Sequence, residues 1–99
     1  MKLLTEEIRA ILPALGSQEH AKDPTVYVKF FSPDIGWTWY ATEGEPEGRD
    51  FLFFGYVRGF VGEWGYFRLS ELQQACGGFG LAVERDLSFR PCPMSKLAE

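Results

Sequence analysis

His20 is the single histidine of this 99-residue chain. A histidine acting as general base needs a nucleophile or an acid within hydrogen-bond reach. No Gly-x-Ser-x-Gly run and no Cys–His arrangement accompanies it, and its neighbours Gln18, Glu19 and Lys22 are polar, so it reads as a solvated loop side chain. Glu43, Glu45, Glu47 and Asp50 lie within a short stretch that could pair carboxylates or hold a cation. A calcium loop wants oxygen donors at positions 1, 3 and 5 and a glycine at 6, which this spacing does not provide. The stretch reads as a solvated hairpin loop, or as a patch whose charge speeds association with a basic partner. Glu84-Arg85-Asp86 places, in a strand, the two acids on one face and the guanidinium on the other. Such charge guards a sheet edge against aggregation. Its functional reading is a polar site in which Arg85, Arg58 or Arg68 grips an anion. Gly77-Gly78-Phe79-Gly80 follows an expected helix instead of opening one and no Lys-Ser/Thr succeeds it, so a helix ending explains it better than a phosphate cradle. Cys76 and Cys92 form no CxxC pair and are too few for a disulfide framework or, with one histidine, for a common zinc set. No metal and no cofactor is therefore expected.

The aromatic residues carry more information. Of sixteen, all but Phe79 and Phe89, hence fourteen, fall between Val26 and Phe67. Alternation puts Trp37 and Trp39 on one face of a strand and Tyr40 on the other, with Tyr56 on a neighbouring strand. If helices cover one face of a sheet, the other presents large aromatics to water or to a partner, which is the composition of an interaction hot spot. Aromatics on a sheet also stack nucleic-acid bases, but the basic groove that such binding uses is missing. The plain alternative is that these side chains fill both faces of a small aromatic core.

The elements that must position these residues follow from local pattern. Thr5 caps a short N-terminal helix with Glu6 and Glu7 in its first turn, an apolar stripe at Ile8, Ile11, Leu12 and Leu15, and a stop imposed by Pro13. Residues 17–24 are a polar loop. Strands are expected over about Thr25–Phe31, Trp37–Thr42, Phe51–Arg58 and Glu63–Leu69, since β-branched and aromatic runs are bounded there by Gly, Pro and Asp. The first carries Val26, Val28 and Phe30 on one face and Tyr27, Lys29 and Phe31 on the other. The third is apolar on both faces and belongs in the sheet interior. Glu43 to Gly48 is read as an acidic loop too repulsive to pack. Ser70 and Gln73 suggest a capping box for a helix near 70–76 that Gly77-Gly78 ends. A last strand or a bent pair of extended segments is expected within Val83–Phe89, and a final turn at Ser95–Glu99. The fold expected is α+β: an antiparallel meander of four to five strands with both helices packed on one face, in a single domain spanning 1–99.

Composition excludes several classes. At 45% hydrophobic and 24% charged residues the chain is not of the disordered type. No apolar run is long enough for a membrane span, and no signal-like segment opens the sequence. With two unpaired thiols this suggests the cytoplasm. The net charge of −4 disfavours direct nucleic-acid binding.

Three stretches carry a family resemblance. They are Asp23-Pro24-Thr25-Val26-Tyr27-Val28-Lys29-Phe30-Phe31 with Trp37-Thr38-Trp39-Tyr40-Ala41-Thr42, then Gly65-Tyr66-Phe67-Arg68-Leu69-Ser70-Glu71-Leu72, then Phe79-Gly80-Leu81-Ala82-Val83-Glu84-Arg85-Asp86. Together they resemble a family of short bacterial proteins known only as a domain of unknown function, found on plasmids, integrative elements and phages. The resemblance implies a mobile-element setting and brings no catalytic residues with it. The leading expectation is a non-enzymatic module that binds a host or element-encoded protein through Trp37, Trp39, Tyr40, Tyr56, Glu43, Glu45 and Glu47. Occlusion of a restriction or CRISPR nuclease complex fits that setting. The alternatives are a small enzyme or nucleotide-binding protein built on Glu84, Arg85 and Asp86 with His20, and a single-stranded nucleic-acid binder using Trp37, Trp39 and Tyr56. A homodimer through an exposed strand or the aromatic face is a further option.

Overall fold

The computed structural model describes residues 1–97. Helix α1 spans Glu6–Ile11; the Thr5 hydroxyl accepts from the Ile8 N–H at 3.2 Å, and Leu12 is already extended (ψ 123°), as the following Pro13 requires. Residues 13–24 form neither helix nor strand beyond turns. Then come β1 (Thr25–Val26), β2 (Val28–Phe31), β3 (Thr38–Glu47), β4 (Asp50–Arg58), β5 (Gly62–Arg68), α2 (Leu69–Gln74), β6 (Glu84–Arg85), β7 (Cys92–Pro93) and a 3-10 turn at Met94–Lys96. Of the expected final turn at Ser95–Glu99, residues 98 and 99 lie outside the described residues.

The molecule is α+β. Five strands form one antiparallel sheet in the order β5-β4-β3-β2-β6, so β2 to β5 are a meander and β6 joins its far edge. A second, two-stranded sheet pairs β1 with β7. The expected strand Thr25–Phe31 is thus divided at Tyr27, whose N–H donates to the Ala41 carbonyl at 2.9 Å.

One face of the large sheet carries the core. Phe30, Trp39, Phe51, Phe53 and Phe67 alternate inward and pack with Leu3, Leu4, Leu12, Leu72 and Val83. Burial of an aromatic of this size contributes roughly 2–3 kcal/mol each. Phe53 is at the centre, stacked on Phe67 at 5.3 Å and edge-on to Phe30 at 5.4 Å. Two glycines in one cross-strand row behave differently. A Cβ on Gly55 would lie 1.8 Å from the Tyr40 carbonyl oxygen, whereas one on Gly65, its partner across the ladder, would meet nothing within 4 Å.

Three expectations need correction. The acidic stretch is not a loop: β3 continues to Glu47 and the hairpin turn is Gly48-Arg49, with Gly48 at φ +60°. The cause is a β-bulge. The register shifts between Ala41↔Gly55 and Glu43↔Phe54, leaving Thr42 unpaired with its hydroxyl donating to the Phe54 carbonyl at 3.1 Å. That extra residue keeps Glu43, Glu45 and Glu47 off the core face and sends Gly44 and Pro46 to it, so the acids can lie in a strand. Pro46 is tolerated because β2 pairs with β3 only as far as Ala41, leaving the outer ladder open beyond.

Second, the helix after β5 is not capped by Ser70. Its N-cap is Arg68, whose N–H donates to the Glu71 carboxylate at 2.9 Å. Ser70 instead donates its N–H (3.1 Å) and hydroxyl (2.5 Å) to Asp50 at the start of β4. The helix ends at Gln74 with Ala75 extended, before the glycines. Third, the expected strand within Val83–Phe89 is reduced to Glu84–Arg85, pairing with Phe31 and Phe30.

Candidate binding face and edge cavity

Strict alternation in β4 divides its side chains. Phe51, Phe53 and Gly55 are buried, while Leu52, Phe54 and Tyr56 point to the other face. β5 adds Trp64 and Tyr66 to that second face and gives only Phe67 to the buried core. The register sets them in two rows, Tyr40–Tyr56–Trp64 and Glu43–Phe54–Tyr66. The rings touch: Phe54 lies nearly parallel to Trp64 (6.0 Å, 17°), edge-on to Tyr66 (5.0 Å, 63°), and Trp64 meets Tyr56 at 5.4 Å. The buried side chains of the N-terminal segment and α2 go to the core face. Trp64 and Tyr66 remain 44% and 66% exposed.

A strap borders these rows on the β3 side. Beyond Ala41, where β2 leaves, residues 13–18 occupy the flank of β3. The Gly44 N–H donates to the Pro13 carbonyl at 3.0 Å, the Leu15 N–H to Glu45 at 3.0 Å, and the Gly16 and Gln18 N–H groups to the two oxygens of Glu43 at 2.7 and 2.8 Å. Gly16 reverses the chain at φ +87°. The Gln18 carboxamide closes the strap, donating to the Thr25 and Thr42 carbonyls and accepting from the Thr25 N–H. Glu43, 3% exposed, is therefore neither solvated nor part of a loop; two backbone donors satisfy its buried charge. Between strap and aromatic rows lies a cavity of about 710 Å³, lined by Phe54, Trp64, Tyr66 and Glu43 on the sheet side and by Gln18 of the strap with Glu19 and Lys22 just beyond it.

The residues singled out by sequence fall in different places. Trp39 is in the core, and Trp37 is half-buried between Trp39 and Phe60. Tyr40 is on the aromatic face but buried, with the Lys29 and Arg58 cations 6.0 and 5.7 Å from its ring centre. Tyr56 is half-buried between Tyr40 and Trp64, and Glu45 and Glu47 are exposed. Glu47 binds Arg68 at 2.6 Å, which raises the Arg68 pKa above its ordinary value. The strongest part of the aromatic face, Phe54, Trp64 and Tyr66, was not among the expected contact residues. The signal was present in the alternation of Trp64 and Tyr66 against Phe67.

His20 and the charged triplet do not converge. The His20 side chain is 95% exposed with the Glu19 carboxylate 4.0 Å away. Arg85 donates to the Lys2 and Leu3 carbonyls and so ties down the N-terminal segment; Asp86 pairs with Lys29 at 3.6 Å and accepts from the Ser88 N–H at 2.9 Å. Glu84 lines, with these, a separate hollow of about 370 Å³. Gly77 and Phe79 surround the Asp34 carboxylate, which accepts the Phe79 N–H at 3.0 Å. Cys76 and Cys92 are free thiols. Among the described residues no three His, Cys, Asp or Glu side chains are grouped to hold a metal ion, and no helix is long and apolar enough to cross a membrane.

Comparison with known proteins matches the chain, over residues 3–99, to the family described as protein of unknown function (DUF2958). The chain belongs to that family, a domain of unknown function as the resemblance indicated. No curated protein and no solved structure matches it.

Proposed function

We propose that this protein is a non-enzymatic binding module that docks a partner protein on the sheet face bearing Tyr56, Phe54, Trp64 and Tyr66. The observation that carries the reading is the exposure of Trp64 and Tyr66 beside the half-buried Phe54 and Tyr56, on the face opposite the core. Tyr and Trp supply much contact area at low cost in side-chain entropy, and they dominate interface energetics. The acidic row of Glu45 and Glu47 along β3, with the chain's net charge of −4, favours a partner with a basic surface. In the mobile-element setting that the family resemblance implies, a cytoplasmic host or element-encoded protein is the target. Occlusion of the nucleic-acid-binding surface of a restriction or CRISPR nuclease is the specific form this takes.

The test is a photo-crosslinking residue in place of Tyr66, expressed in a bacterial host, followed by calorimetry with the purified captured protein. Binding should weaken at least about tenfold with Trp64→Ala or Tyr66→Ala and stay unchanged with Phe60→Ala, on the turn between β4 and β5. Equal binding by all three variants would remove the aromatic face from the function.

A further inference from the structure

The cavity between the strap and the aromatic rows has a chemistry of its own. Its floor is Phe54 with the nearly parallel Trp64, and Tyr66 stands edge-on beside them. Aromatic faces carry negative electrostatic potential and attract cations. Its wall brings two carboxylates, Glu19 and Glu43, against one basic residue, Lys22, and Glu45 joins the same strap through the Leu15 N–H. Glu43 is held in place by the Gly16 and Gln18 N–H groups, one on each oxygen. Glu43, 3% exposed, supplies fixed negative charge behind the wall, and the exposed Glu19 carboxylate is the acceptor open to a ligand. The Gln18 carboxamide and the two N–H groups on Glu43 fix that part of the wall before anything binds.

We propose that this cavity takes the side chain of an arginine presented by a partner protein. The inference rests on the reading of the adjoining face as a protein-docking surface, and it names the chemistry of the anchor. A guanidinium is planar and weakly hydrated; it stacks on aromatic rings while its edge donates to a carboxylate, which an ammonium does less well. The volume of about 710 Å³ exceeds one side chain and accommodates the flanking backbone of the partner as well. An anion such as a phosphate would meet Glu19 and Glu43 with Lys22 as its only counter-charge among the lining residues.

The experiment titrates the intact protein with Nα-acetyl-arginine amide, its neutral near-isostere Nα-acetyl-citrulline amide, and Nα-acetyl-lysine amide, followed by amide NMR. Saturable shifts are expected at Gly16, Gln18, Thr42 and Tyr66. The citrulline compound should bind at least about tenfold more weakly, with lysine between them. Lys22→Ala should leave arginine binding unchanged or tighten it. Trp64→Ala should weaken it about tenfold or more; Tyr66→Ala provides the same test if the first variant loses its dispersed spectrum. No saturable shift, shifts clustered elsewhere, citrulline or lysine equal to arginine, or loss of binding in Lys22→Ala would each overturn the assignment. Those results leave the crosslinked partner and its dependence on Trp64 untouched, so failure of the cavity and failure of the docking face are separable.

Discussion

Single carboxylates hold this fold at three junctions. Asp50 accepts from the Ser70 hydroxyl and from the N–H groups of Phe51 and Ser70, and Asp23 accepts from the Ser95 hydroxyl and N–H. These hydrogen bonds, the serine hydroxyls first, hold both carboxyls below the ordinary value of 3.8. A depressed folded pKa contributes stability that is present above that ordinary value and is lost as pH falls through the folded one. The stability difference between wild type and Asp50→Asn should therefore be fully present at pH 7 and decline as the pH is taken progressively below 3.8, measured by urea unfolding across that range. Glu43 is a buried case. Glu43→Ala leaves the Gly16 and Gln18 N–H groups without their acceptor and should cost about 2–4 kcal/mol; Glu43→Gln, which keeps one acceptor, should cost less. Neither role was legible in the sequence. An acid among acids looks solvated, and only the bulge at Thr42 reveals which one is turned towards the strap.

At the scale of elements, the strands of the meander could be read from alternation because each carries large side chains on a face that must be buried. The short pieces could not. β6 and β7 are two residues each, too short for a period, and the division of β1 from β2 depends on partners far along the chain. The helix cap shifted by two residues because Ser70 had a better acceptor in Asp50 than a helix N–H could offer it a donor. The closeness of β3 to β4 gives a sharp prediction. Gly55→Ala drives a methyl into the Tyr40 carbonyl and should destabilise by at least about 3 kcal/mol, while Gly65→Ala, ten residues on and in the same row, should lie within about 0.5 kcal/mol of wild type. Thermal unfolding of the two variants decides it.

For the molecule as a whole, the first residues are structural. Leu3 and Leu4 are buried in the core, and Arg85, near the other end of the chain, donates to the carbonyls of Lys2 and Leu3. The Leu3→Ala/Leu4→Ala double variant should lose about 4 kcal/mol or more by denaturant unfolding, a large part of what a domain of this size possesses. Within the triplet Glu84-Arg85-Asp86, Arg85 ties the N-terminal segment to β6, while Asp86 pairs with Lys29 of β2. The partners of Arg85 were invisible in the sequence because they are backbone carbonyls more than eighty residues away.

The bulge at Thr42 has a consequence for a chain that lacks this residue. The pairs Ala41↔Gly55 and Glu43↔Phe54 flank Thr42 without a gap on β4. A chain one residue shorter at this point keeps every pair of the ladder in register but loses the buried Thr42 side chain and its hydrogen bond to the Phe54 carbonyl. It also loses the Thr42 carbonyl that accepts from the Gln18 carboxamide, one of the ties holding residues 13–18 along β3. In this chain a single residue thus links the sheet to the strap beside it.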